Sequence, residues 1–316
     1  MSERNVPDYA DVKGQETAKR AMVIAAAGQH NMLIVGPEGA GKSMLAERLP
    51  TILPPLGEDE KAEALGLYEA AGVPAGGIGS GTRPIRSPKP CTSLAGLVGG
   101  GRPVRPGEVS LAHGGVLFLG DVAKFSDTVL ASLRSCAEDG EVRIVSAIRI
   151  CKFKCAFQLV AAGKPCSCGN YGNPNVPCTC AAARAKAYQE GLAKPLRNLF
   201  DIRLDVCPPF PSGPFAVEAG LGSSDMRAQV AAARAFSAER ISYESEFVDK
   251  PLGFDGIRFY PGTLEVFAQH AIKLGMGGRE IGAVARVART VADLNEHFEV
   301  QDNDVIEALS LRPRVF

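Results

Sequence analysis

The residues best suited to chemistry are Gly36, Pro37, Glu38, Gly39, Ala40, Gly41, Lys42 and Ser43, which follow the spacing G-x-x-x-x-G-K-[ST]. Glycines at these places let successive backbone N–H groups converge on phosphate oxygens. Lys42 would reach the β- and γ-phosphates, and Ser43 would place its hydroxyl on Mg²⁺. The residue types therefore predict a site for ATP with Mg²⁺. A chance glycine-rich turn is the competing reading. The context argues against it, because an apolar run precedes the motif at 32–35 and a helical stretch follows at 44–49.

A second constellation is Cys166, Cys168, Cys178 and Cys180, two C-x-C pairs on a glycine- and proline-rich stretch. Four thiolates this close in sequence could close a tetrahedral Zn²⁺ site, with free thiols as the alternative. Cys91, Cys136, Cys151, Cys155 and Cys207 show no pairing pattern and read as small packing residues. A third group is basic. Arg83, Arg86, Lys89, Arg102 and Arg105 lie in loops and could meet a DNA backbone, although solvated charge explains such loops equally well. No aromatic residues interleave with them, so stacking on single strands is not indicated.

The elements that must position these groups are legible from periodicity. Residues 17–28 are alanine-rich and end on glycine, which predicts a helix with a C-cap. Short apolar runs at 32–35, 116–119 and 157–161 predict buried strands. Helices are expected at 44–49, 58–71 and 126–139, and loops or short hairpins over 72–107. Strands alternating with helices imply an α/β fold with a parallel sheet. Residues 209–224 read as a linker between a nucleotide-binding domain at 1–208 and a smaller all-helical lid at 225–316.

Bulk properties narrow the class. The chain has 316 residues, 46% of them hydrophobic, enough for one large domain or a domain with a companion. Lys plus Arg and Asp plus Glu number 35 each, so no global positive field marks a nucleic-acid partner. There is no apolar run of membrane-spanning length, and residues 1–14 lack the apolar segment of a secretory signal. With an odd number of cysteines as well, a soluble cytoplasmic protein is expected.

Around the glycine-rich loop, several strings resemble one family: VKGQETAKRA at 12–21, LPTILPPL at 49–56, SLAGLVGGG at 93–101, RPGEVSLAHGGVLFL at 105–119, EDGEV at 138–142 and RVARTVADL at 286–294. Together they resemble the Mg-chelatase-like AAA+ ATPases, in particular their competence-associated ComM type. The resemblance implies an AAA+ P-loop core with a helical lid, assembled into a ring. It also implies turnover of ATP, coupled to DNA junctions in one branch and to porphyrin metalation in the other.

Against that pattern the turnover residues are altered. The family's Asp-Glu pair after the strand at 116–119 is Gly120-Asp121 here, leaving Asp121 as the sole candidate for the Mg²⁺ shell and the base. Lys164 stands where the resemblance implies an asparagine that orients water. Leu199 stands where it implies an arginine finger for the neighbouring subunit, with Arg197 and Arg203 as displaced substitutes. In the lid, Arg279 and Arg286 match arginines that approach nucleotide, while Ala283 replaces a third. These departures predict an ATP-binding ring subunit with weakened hydrolysis. An active motor, or a nucleic-acid-binding scaffold with ATP as conformational ligand, are the alternatives.

Overall fold

A computed structural model describes residues 7–145, 150–208, 220–247 and 256–312. Helix α1 (Glu16–Gly28) leads into strand β1 (Met32–Val35), and α2 (Lys42–Arg48) follows the glycine-rich loop. Next come α3 (Glu58–Ala71), β2 (Ile85–Arg86), α4 (Leu94–Val98), β3 (Gly99–Gly100), β4 (Arg105–Pro106), α5 (Glu108–Leu111) and β5 (Val116–Leu119). Then follow α6 (Asp127–Asp139), a β6–β7 hairpin (Glu141–Val145 and Ile150–Lys154), β8 (Gln158–Gly163), α7 (Ala182–Gly191) and β9 (Ile202–Asp205). Four helices complete the described chain: α8 (Ser223–Phe247), α9 (Thr263–Leu274), α10 (Gly278–Leu294) and α11 (Asp302–Ser310).

The central sheet has the order β2-β5-β8-β1-β9, and every pairing in it is parallel. This bears out the α/β expectation and explains why its strands read as continuous apolar runs, since helices and loops cover both faces. Met32, Ile34, Val116, Phe118, Val160, Ala162, Ile202 and Leu204 face one apolar cluster. Leu33, Leu117, Leu119, Leu159 and Ala161 face a second. β1 lies between β8 and β9, so its carboxyl end opens at the point in the sheet where open α/β folds receive ligands.

The first cluster does not stop at the sheet. It also contains Ala18, Ala21, Met22 and Ala25 of α1, Met226 and Val230 of α8, Val284, Val287 and Val291 of α10, and Val305 of α11. The helical region therefore shares its core with one face of the sheet through α1. Of the linker expected at 209–224, residues 209–219 lie outside the described residues. Ser223 already opens α8, and its hydroxyl accepts the Tyr9 N–H at 2.9 Å.

The helix end expected at Gly28 differs in its detail. The left-handed cap is Gln29 (φ 54°), whose N–H reaches the Ala25 carbonyl. Glycine at 28 answers a packing demand instead: a Cβ there would lie 2.3 Å from His30 Nε2 and 2.4 Å from Thr290 Oγ1. Close approach of the His30 ring and of Thr290 on α10, and not the helix terminus, excludes a side chain.

A buried ion cluster joins α8 to α10. Asp293 accepts from Arg240 at 3.0 Å and lies 3.0 Å from Arg289, all three residues being under a tenth exposed. Removing one partner of such a cluster leaves uncompensated charge in a low-dielectric setting. Asp293→Ala is accordingly expected to lower unfolding stability by about 3–5 kcal/mol, measured by urea denaturation. An unchanged midpoint would show that water already solvates both guanidinium groups.

Candidate functional site

The glycine-rich loop is bracketed at its first residue. The Gly36 N–H donates to the Gly163 carbonyl at 3.2 Å, tying the loop to the end of β8. On the other side a Cβ on Gly36 would lie 2.3 Å from the Val206 carbonyl, just beyond β9. Gly39 and Gly41 have φ values of 78° and 82°, a left-handed conformation that side chains disfavour, with open space where a Cβ would be. The chain then enters α2, whose first N–H groups have no intrahelical acceptor. Ser43 is exposed at this opening.

Lys42 folds back over the loop, donating to the carbonyls of Gly36 at 2.8 Å and Pro37 at 2.6 Å. Burial lowers its pKa, while the Asp121 carboxylate pushes the other way. Asp121 thus stands close enough to act on Lys42, as do Lys164 and Glu38. The structure brings together at one sheet edge the loop, the end of β5 and the end of β8.

The residues at those ends are built differently from a carboxylate pair and an amide. Asp121 adopts a left-handed backbone (φ 52°), and its carboxylate pairs with Lys124 at 2.8 Å. That hydrogen bond lowers its pKa below the usual carboxylate range. Asp121 occupies the N-cap position of the 3-10 turn at Val122–Lys124, but its side chain makes no cap bond. Gly120 carries no functional group, yet a Cβ there would meet only the Phe118 ring, at an ordinary 3.7 Å. Lys164 reaches across to Glu38 at 3.1 Å, a largely exposed pair of small energetic weight.

The remaining expected residues lie elsewhere. Asp201 donates its N–H to the Asn31 carbonyl, which marks the opposite, amino-terminal edge of the sheet. There Arg286 is held by Asp201 at 2.6 Å, and His30 links Asp201 at 3.0 Å to Thr290 at 2.8 Å. The structure therefore does not bring Arg286 to the loop of its own chain. Arg279 is exposed in the first turn of α10. Ala283 is 3% exposed, so the packing leaves no room for an arginine in its place. Leu199 packs against the second apolar cluster. Arg203 is buried on β9, where burial and the charges of Arg312 and Arg197 depress its pKa to about 10. It cannot extend to a neighbouring subunit as a displaced finger.

Two of the five basic loop residues are also committed within the chain. Arg83 donates to the carbonyls of Pro54 and Gly114 and pairs with Glu60 at 3.0 Å. Arg86 makes two bonds to Glu108, at 2.7 and 2.6 Å. The sequence showed neither acceptor, since both lie more than twenty positions away. Of the five, Lys89, Arg102 and Arg105 are exposed.

The four cysteines do converge. Their sulfurs all lie within 4.8 Å of one another, and Cys166–Cys168, Cys166–Cys178 and Cys168–Cys178 separations are 3.3, 3.7 and 3.5 Å. A tetrahedral Zn²⁺ with bonds of about 2.3 Å needs sulfurs about 3.8 Å apart, whereas a disulfide needs about 2.05 Å. All four are free thiols. The Tyr171 N–H donates to Cys166 Sγ and the Cys180 N–H to Cys178 Sγ. Backbone donors from Asn170 and Thr179 pull the Cys168 thiol down. Against the Cys180 N–H, burial and the hydrogen bonds to Cys168 and Cys166 push Cys178 up, so the thiols share their protons. The donor set fits zinc.

Residues 8–211 match the family model described as magnesium chelatase, subunit ChlI, and residues 220–312 match the model of its C-terminal part. The chain belongs to this family. A Haemophilus influenzae relative, competence protein ComM, is 34% identical over 318 residues, covering 100% of this chain and 62% of that protein. The uncharacterized protein YifB of Escherichia coli is 34% identical, covering 96% of this chain and 60% of its own length. An uncharacterized Mycobacterium tuberculosis protein is 36% identical, with 96% and 61% covered. The chain thus spans roughly three-fifths of these relatives. Membership agrees with the order of elements around the loop. No helix among the described residues is long and apolar enough to cross a membrane.

Sequence reasoning missed Gln15. Its side-chain amide donates to the carbonyls of Ala40, in the loop, and Cys207. Its only signal was a place inside the family string at 12–21, with nothing in the residue type to mark the loop as its target.

Proposed function

We propose that the chain binds ATP with Mg²⁺ at residues 36–43 and serves as a ring-forming subunit in which hydrolysis is weakened. One observation carries this reading: Lys42, Ser43 and the left-handed glycines of the loop are intact, while the ends of β5 and β8 beside them lack the groups that drive water onto a γ-phosphate. A positioned general base is worth about 10²–10⁴ in rate, and an arginine finger about 10³–10⁵. Here Asp121 is held by Lys124, Lys164 supplies a flexible point charge in place of an amide, and Leu199 is apolar. Binding and turnover are thereby separated, with binding retained.

The ring is part of this proposal and is supported by membership of the family. Arg286, held by Asp201 at the sheet edge opposite the loop, would in such a ring be placed to serve a nucleotide held by a neighbouring copy. The cysteine centre is proposed to hold one structural Zn²⁺ through Cys166, Cys168, Cys178 and Cys180, adding its binding free energy to that of the fold.

Lys42→Ala is expected to weaken triphosphate binding far more than adenosine binding, read by titration calorimetry. Equal losses would place the lysine away from the phosphates. Steady-state hydrolysis by the unaltered chain is expected to be slow, and the combined Gly120→Asp, Asp121→Glu, Lys164→Asn and Leu199→Arg variant faster. Single restorations should do little, because groups acting on one transition state are each limiting. Brisk hydrolysis by the unaltered chain, abolished by Lys42→Ala, would reject the weakened-hydrolysis reading and favour an active motor. Metal analysis of the purified protein should find about one zinc per chain. Its absence, with all four thiols readily alkylated, would leave them as ordinary cysteines.

A further inference from the structure

We infer that the four-cysteine centre is a metal-dependent brace for the phosphate loop. The inference rests on the zinc reading and, for its effect on ATP, on the nucleotide reading above. Between Gly163 and Ala182 the chain forms only turns, bends and irregular backbone. No helical or sheet ladder fixes this segment, so the ligand bonds of a closed metal site would set its shape. Its first residues touch the loop 36–43 directly, and its middle reaches the loop through Cys207 and Gln15.

The first route runs along the chain. Cys166 lies two residues beyond Lys164, whose ammonium holds Glu38 at 3.1 Å. Gly163, one residue earlier, accepts the Gly36 N–H at 3.2 Å. The stem of Lys164 lies against the cysteine segment itself, since a Cβ on Gly169 would lie 3.4 Å from Lys164 Cδ. Gln189 of α7 fixes the intervening Pro165 carbonyl at 2.9 Å.

The second route crosses space. Within the cysteine segment the Gly172 carbonyl lies 3.9 Å from Cys207 Sγ. The Cys207 carbonyl accepts from Gln15, whose amide also reaches the Ala40 carbonyl in the loop at 3.4 Å. The preceding Val206 is fixed to Val35 by a 2.8 Å backbone bond and abuts Gly36. The loop is thus gripped from both flanks by segments that meet at the cysteine centre. Loss of the metal frees Gly169 and Gly172, and with them the supports of Lys164 and Cys207.

The test compares zinc-loaded protein with protein stripped by a chelator. Amide hydrogen exchange is followed at residues 36–43, and Mg·ATP affinity is measured on both forms. Stripping is expected to speed exchange there at least about fivefold and to weaken ATP by a similar factor, the lower end of ordinary site-to-site coupling. The double variant Lys164→Ala, Gln15→Ala removes the side-chain contacts of both routes, leaving their backbone bonds, without touching a ligand. It should retain one zinc, show the fast exchange of stripped protein, and respond little to stripping. Unchanged exchange on stripping, or a double variant that still responds in full, overturns the brace. A chain that takes up no zinc overturns both the brace and the metal reading. If exchange responds while ATP binds neither form, the nucleotide reading fails and the brace stands.

Discussion

Everything at the candidate site depends on how closely three backbones approach at Gly36. Its N–H is spent on Gly163 and its α-carbon faces the Val206 carbonyl at a distance that admits no side chain. That contact makes the end of β1 a junction of β8 and β9 as well as the start of a turn. The parallel register supports it, since Val35 lies opposite both Gly163 and Asp205. With the junction fixed, Gly39 and Gly41 can hold their left-handed conformations and α2 can begin where a phosphate would need it.

The opposite edge of the sheet is organised by charge. Asp201 lies between His30 and Arg286, and its pKa is lowered despite a burial that alone would raise it, because both partners favour the carboxylate. Further along α10, Asp293 joins Arg240 and Arg289. The helical region is therefore attached to the sheet by apolar packing on α1 and by the Asp201–Arg286 and His30–Thr290 contacts, while the Asp293 cluster holds α8 to α10 within it.

Much of this was legible in the sequence, and the failures have physical causes. The loop, β1, β5 and α6 were readable because a motif or a strong period marks them, and β8 was found within two residues. β9 was missed because Arg203 interrupts its apolar run, and the buried arginine is tolerated only beside Glu280 and Asp205. The β6–β7 hairpin was missed because both strands alternate charge with small apolar residues and lie outside the main sheet. The convergence of the cysteines was legible from spacing, but the contacts of Gln15 and Arg83 were not. Side-chain bonds to distant carbonyls leave no local pattern, because any carbonyl accepts equally well.

The departures from the family's pattern also separate into two kinds once the packing is known. Ala283 is 3% exposed on α10, so a longer side chain there would have to displace what covers it. Leu199 is half-buried against an apolar cluster, so an arginine there would have to keep its stem on that cluster and turn its head outward. Gly120 is different. Its backbone is not in the left-handed region and its Cβ position meets nothing closer than 3.7 Å, so no steric demand selects glycine there. Lys164 is similarly unforced, held by one exposed pair with Glu38. Beside the loop, then, the backbone at Gly120 and Lys164 still accepts other side chains, whereas Leu199 and Ala283 are tied to the packing of their own chain.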